Sequence, residues 1–319
     1  MIPLADLVPL SASVSNHSMG ELDGVFRAWG FAKGGNGSVS AAIAAAARAA
    51  GAEIRTEAPV AHVLVANGRA TGIALASGEE IRAGLVISNA DPRRTFFDLV
   101  GEKHLPGEFV DGIRRFRFRG ASAKVNLALG ELPDFTCLPG RGPHHRGAIS
   151  ISPSVDYLER AYDEAKYGEF SRRPYMDIVI PSMIDPGMAP PGKHVMSIFA
   201  QYAPHDLKGG WTDARREAFG DAVVDTLAEY APNLKRAILH RQVVTPADIE
   251  SVVGISEGNI FHGELSLQQM FFLRPVPGWA KYATPISGLY QCGSGTHPGG
   301  GVMGASGRNA SRAILGESA

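Results

Sequence analysis

The stretch from Gly288 to Ala313 constrains this chain more than any other. It runs Gly288-Leu289-Tyr290-Gln291-Cys292-Gly293-Ser294-Gly295-Thr296-His297-Pro298 and continues Gly299-Gly300-Gly301-Val302-Met303-Gly304-Ala305. Six glycines fall between positions 293 and 304, and each loses backbone entropy when the segment orders. A loop so short of side chains lets a ligand approach main-chain N–H groups. A helix starting near Met303-Gly304 would aim its unpaired N–H groups and positive dipole end at that ligand. A phosphate suits such a place, and so does the O2/N1 edge of a reduced flavin. Gly299-x-Gly301-x-x-Gly304 matches GxGxxG, but only 15 residues follow, too few for the second strand and acidic residue of a dinucleotide fold. From the residues alone, a ligand-contacting loop and a Gly-rich surface turn before a C-terminal helix both stay open.

The remaining composition narrows the class. At 319 residues the chain has room for two domains. A net charge of −1 gives no broad basic field for nucleic acid or anionic lipid. Cys137 and Cys292 are the two cysteines, far apart and without CxxC or Cys/His grouping, so neither a disulfide framework nor a zinc site is expected. No run of 18 apolar residues predicts a transmembrane helix. Met1–Asp6 lacks the basic start of a secretory signal. The expected setting is the cytoplasm, with peripheral contact to a membrane as the alternative.

Period and punctuation predict the elements. Ser38 is placed to cap a helix with Val39, Ile43, Ala46, Ala47 and Ala50 on one side, and Gly51 suits a left-handed position at its end. Period-two patterns predict strands at 52–56, 60–66, 70–76 and 85–88, with Asn67-Gly68 as a type I′ hairpin turn. Further strands are predicted at 123–129, 148–151, 177–181, 195–201, 236–244 and 288–292, and helices at 154–167, 212–230 and from about Gly304. The middle section reads as an antiparallel sheet with helices to one side.

Leu289-Tyr290-x-Cys292-Gly293-x-Gly295-Thr296-His297-Pro298-Gly299-Gly300-Gly301-Val302-x-Gly304 resembles the C-terminal FAD signature of phytoene desaturase-like and carotenoid isomerase-like flavoproteins. It resembles in particular the branch named for pyridine nucleotide-disulphide oxidoreductase domain-containing protein 2. Gly30–Val39, Val86–Pro92, Ser122–Leu127, Pro143–Gly147 and Asn259–Glu264 fit the same branch.

The resemblance implies an α/β plus α+β fold: part of a Rossmann-like FAD-binding domain with an inserted mixed or antiparallel-sheet substrate domain. It implies a lead segment at 1–34, FAD-domain residues at 35–100, a substrate domain at 101–282 and a return to the FAD domain at 283–319. Backbone groups at Val60 would lie beside the adenine and Gly293 and Ser294 near the pyrophosphate. Gly300 and Gly301 belong to the same loop, and Val302, Met303 and Gly304 would offer N–H groups to the isoalloxazine. Gly301 stands where amine oxidases carry an aromatic ring, which argues against an amine-oxidase cage. The family also opens with a strand and GxGxxG unit that does not occur near Met1, so the chain resembles the C-terminal portion of a longer protein.

The implied activity is FAD-dependent oxidoreduction: hydride removal from an apolar small-molecule substrate, or a flavin-assisted isomerisation. The implied partner is an N-terminal FAD-domain half on another chain. The alternative is a truncated binding or regulatory module that does not hold FAD by itself. His297 is the weak candidate for an acid or base, with loop support as the competing role. His144-His145 reads as a solvated loop, and His262 with Glu264 as one face of a strand-like stretch. Arg114–Arg119, alternating Arg with Phe, reads as a strand with one charged face.

Overall fold

The computed structural model describes residues 31–301 and 304–316, and the backbone of β1 (Glu21–Leu22) and β2 (Val25–Phe26), which pair antiparallel. The chain divides into two compact units, the first built on 55–118 and 254–319, the second on 30–54 and 119–253.

Helix α1 (Gly37–Ala49) follows the Gly-rich start. Its N-cap is Asn36, and Ser38 lies inside the first turn with Oγ donating to the Gly35 carbonyl, so the expected Ser38 cap is not formed. No α1 residue is buried, and Ile43 is 63% exposed. Gly51 takes φ 91°, as its position required. The strand expected at 52–56 is absent; Glu57 turns the chain with φ 55° just before Pro59. By its contacts, 35–54 groups with the second unit rather than with 55–100.

In the first unit β3 (Val60–Ala66), β4 (Arg69–Leu75) and β5 (Glu80–Arg82) form an antiparallel meander. Asn67 (φ 50°) and Gly68 (φ 71°) make the predicted left-handed turn between the first two. β6 (Val86–Ser88) leads into Asp91-Pro92, a π-helical segment (Arg94–Val100) and α2 (Gly107–Arg115). Phe96 and Phe109 meet edge to face at 4.7 Å in a core that includes Val63, Ile113, Val276 and Leu289. Arg114-Arg115 end α2, so the expected strand at 114–119 is not formed. The apolar partners of those arginines, Phe116 and Phe118, are buried as a T-shaped pair at 5.3 Å. Burial of both rings in irregular chain mimics the alternation of a strand.

The second unit holds the antiparallel sheet in the order β11-β7-β10-β9-β8. Its strands are β7 (Ser122–Leu129), β8 (Ile149–Ile151), β9 (Tyr175–Val179), β10 (His194–Gln201) and β11 (Ile238–Val244). Alternate residues Val125, Leu127, Ile178, Met196 and Ile198 are fully buried with Phe219, Val223 and Leu227 of helix α4 (Asp213–Ala228). Ser154 caps α3 (Val155–Lys166) and Thr212 caps α4, each accepting a backbone N–H in the first turn. Helix α5 (Pro246–Val253) closes the unit. His145 is not solvated: it is 1% exposed, with Nε2 2.8 Å from the Pro133 carbonyl.

Residues 254–288 are mostly turns. The expected strand-like run at 259–264 is a turn, because Asn259 Oδ1 accepts the N–H groups of Phe261 and Gly263 and His262 takes φ 53°. β12 (Leu289–Gln291) then pairs parallel with β6, and α6 (Ala305–Leu315) ends the described chain. Among the described residues no helix is long and apolar enough to cross a membrane.

Candidate flavin-binding site

The site begins where β12 ends. Parallel pairing sets Tyr290 against Ile87 and Gln291 against Ser88, so the chain leaves both strands at the same end. The Cys292 N–H donates to the Ser88 carbonyl at 2.8 Å and continues the ladder by one bond. Behind it, Ser88 and Thr95 share a 2.7 Å hydroxyl contact, and Gln291 Nε2 donates to the Ala90 carbonyl. Gln291 Oε1 is buried with no hydrogen-bond partner.

The glycines of the loop divide by what stands against them. A Cβ on Gly293 would lie 2.0 Å from Asn89 Oδ1, one on Gly295 2.6 Å from the Pro92 ring, and one on Gly300 2.8 Å from the Phe261 ring. These three are glycine because protein approaches them, a reason the sequence could not separate from ligand approach. Gly304 differs. Among the described residues a Cβ there would meet nothing within 4 Å, and φ 67° is what favours glycine. It is the N-cap of α6 and has no side-chain capping bond. The first helical bond runs from Arg308 N to the Gly304 carbonyl, so the amides of 305–307 come before the helical ladder.

Val60 opens β3, opposite Leu75, and is 37% exposed. Gly293 and Ser294 lie at the first bend, and the Ser294 carbonyl accepts a bond from Arg274. Gly301 takes φ 143°. Val302 and Met303 lie outside the described residues. The His297 carbonyl accepts the Tyr282 hydroxyl at 2.9 Å, while the His297 Nδ1 is buried without a partner among the described residues. Burial raises the Tyr282 pKa, so the phenol stays protonated as that donor. The His297 ring lies 6.5 Å from that of Phe271, centroid to centroid.

Two further side chains beside the loop, Arg274 and His262, take their surroundings from the fold. Arg274 is fully buried, and its partners lie between residues 261 and 294 in turns without periodicity. His262 has its pKa lowered by burial, which with the Arg274 cation outweighs the opposing Asp91 carboxylate; the ring is held neutral.

FAD fits this arrangement. The observation is the uncapped α6 N-terminus opening on free space at Gly304, at the end of a glycine loop fixed from behind by Asn89, Pro92 and Phe261. A surface hollow of about 630 Å³ in the second unit, lined by Asp134, Phe135, Asn233 and Arg236 among others, contains none of the loop residues.

A parallel strand pair with a glycine loop and helix, beside a meander, together with a separate antiparallel-sheet unit, defines a flavin-dependent oxidoreductase fold. The chain belongs to the family described as flavin containing amine oxidoreductase, which it matches over residues 8–315. It is 44% identical over 309 residues to pyridine nucleotide-disulfide oxidoreductase domain-containing protein 2 of Rattus norvegicus, covering 94% of this chain and 53% of that protein. It is 28% identical to a lycopene-forming phytoene desaturase of a Paracoccus species, covering 86% of this chain and 52% of that protein. The chain thus spans about half the length of the curated relatives it matches. An oxidoreductase from Methanosarcina mazei has a similar fold, with a TM-score of 0.58 at 20% identity over 89% of this chain and 55% of that one. These relatives place the chain in the phytoene desaturase-like branch, and the cofactor indicated is FAD.

Proposed function

We propose that this chain forms the isoalloxazine-side half of an FAD-dependent oxidoreductase that removes hydride from, or isomerises, an apolar small molecule. The observation that carries the reading is the open, uncapped start of α6 at the end of the glycine loop. Gly293 and Ser294 would lie near the pyrophosphate, Val60 beside the adenine, and Gly300 to Gly304 along the isoalloxazine. Bound flavin supplies the hydride-accepting chemistry. The residues of this chain bind and orient it, and the α6 amides favour negative charge at its edge. Exposed Leu267, Phe271 and Phe272, of which the Phe271 ring lies 6.5 Å from that of His297, support an apolar substrate. His297, with Nδ1 buried and its carbonyl tied to Tyr282, supports a loop-holding role over that of an acid or base.

The parallel pair β6–β12 supports a requirement for further strands. Ile87 is 52% and Leu85 47% exposed beside it, and two parallel strands make a poor sheet alone. An N-terminal FAD-domain half, on this or another chain, would extend that sheet; a cytoplasmic setting is part of the same reading. The second reading, a binding or regulatory module, draws on the same open edge. Titration of FAD into the 319-residue chain, alone and with an N-terminal half from a relative, tests the choice. Quenching of flavin fluorescence in either case supports the enzyme reading, and no quenching in both favours the module.

A further inference from the structure

Among the described residues Arg274 is the largest side chain withdrawn completely from solvent. A guanidinium has five N–H donors. Nε donates to the Ser294 carbonyl at 2.9 Å, and Nη1 to the carbonyls of Glu264 at 3.1 Å and Gln269 at 3.2 Å. Nη2 donates to the carbonyls of Phe261 and of Gly263, the latter at 3.1 Å. The group also lies 5.3 Å from the centroid of the Phe116 ring. All five donors therefore end on main-chain carbonyls, and none is left for a carboxylate or a ligand. Burial pushes its pKa down to about 9, which leaves it protonated at neutral pH. A cation solvated only by carbonyl dipoles is costly to bury and must be repaid by order or by an anion nearby.

We propose that Arg274 is the positioning residue of the glycine loop: it ties the 261–269 turn to Ser294 and sets a fixed positive charge behind the face offered to an anionic group of the dinucleotide. It does not touch that group; it acts through Ser294 and through its field. The anion part rests on the functional reading above, whereas the tie stands on the hydrogen bonds alone. Lysine has three donors and no planar fork, so it keeps the charge and loses the tie.

Amide hydrogen exchange on the 319-residue chain without flavin reads the tie. In the wild type, 259–269 and 293–301 should open together with one dependence on denaturant; separate opening overturns the proposal. Arg274→Met should speed exchange in both segments at least about tenfold while 122–129 is unchanged, the scale of lost charged hydrogen bonds. Unchanged exchange at 293–301 overturns it. If Arg274→Met does not fold, Arg274→Lys gives the same comparison, and the wild-type co-opening decides independently.

FAD titration reads the charge. Arg274→Lys should bind about tenfold more tightly than Arg274→Met, the effect of one retained cation at partial burial. Equal affinities overturn the field. A wild type that takes up no FAD, even with an N-terminal half supplied, overturns the anion role and the functional reading together. The exchange result still decides the tie.

Discussion

Asp91 accepts both the backbone N–H and the hydroxyl of Ser256, at 2.8 Å and 3.0 Å, across 165 residues of chain. The carboxylate is 2% exposed and also accepts the Arg94 N–H at 3.1 Å. It lies three residues past β6, so this one group pins the turn after the β6–β12 pair to the segment that leads towards the loop. Ser256→Ala should destabilise the first unit by about 1.5–3 kcal/mol, the range for a hydrogen bond to a charged group. Urea denaturation followed by Trp279 fluorescence measures it. A change below about 0.5 kcal/mol, ordinary for a surface site, counts against the pin.

Gly293 combines φ 86° with an Asn89 oxygen where a Cβ would go. Gly293→Ala should therefore shift Asn89 and the first bend, and weaken FAD binding by about tenfold or more, roughly the energy of one displaced contact. Gly304→Ala meets no neighbour and is strained only by its φ of 67°, so its loss should be smaller. Paired FAD titrations check the order.

His205 joins the loop after β10 to α5, with Nε2 2.7 Å from Glu250 and Nδ1 2.9 Å from Asp206. Burial disfavours its charge, but the bonds to Asp206 and Glu250 outweigh that and raise the pKa. A raised folded pKa gives stability that is full below about 6.5, the unfolded value, and lost as pH rises through the folded pKa. The second unit should thus lose stability from mildly acidic to mildly alkaline pH. His205→Gln should flatten that part of the profile in thermal melts; an unchanged slope rejects the assignment.

Ile198 sits at the centre of the five-stranded sheet, fully buried and paired with Val125 and Ile178. Ile198→Ala should destabilise the second unit by about 2–5 kcal/mol. Hydrogen exchange in 122–129 should speed up. Slow exchange there after the substitution argues against this core.

Regular segments were the ones legible in the sequence. Asn67-Gly68 foretold its turn, and the period-two pattern at 123–129 foretold a strand, because period and turn chemistry are local. Phe116 and Phe118 misled for the same reason: alternation records which side chains are buried, not that the backbone is paired. Asn259 reads as a strand residue until its side chain is seen to accept two nearby N–H groups. The loop glycines stand out in the sequence as a candidate ligand loop, but Gly293, Gly295 and Gly300 answer to protein neighbours far away in sequence. The five carbonyl acceptors of Arg274 were not legible, since they are gathered only by the fold.

The central claim is that the glycine loop and the start of α6 hold the flavin. Hydrogen exchange at 293–301 and 305–307, with and without saturating FAD, tests it most directly. The N-terminal half is to be supplied if the chain needs it to bind. The account predicts slower exchange in both segments on binding and no change in the 122–129 strand. Flavin uptake that leaves 293–301 and 305–307 exchanging as before would contradict it.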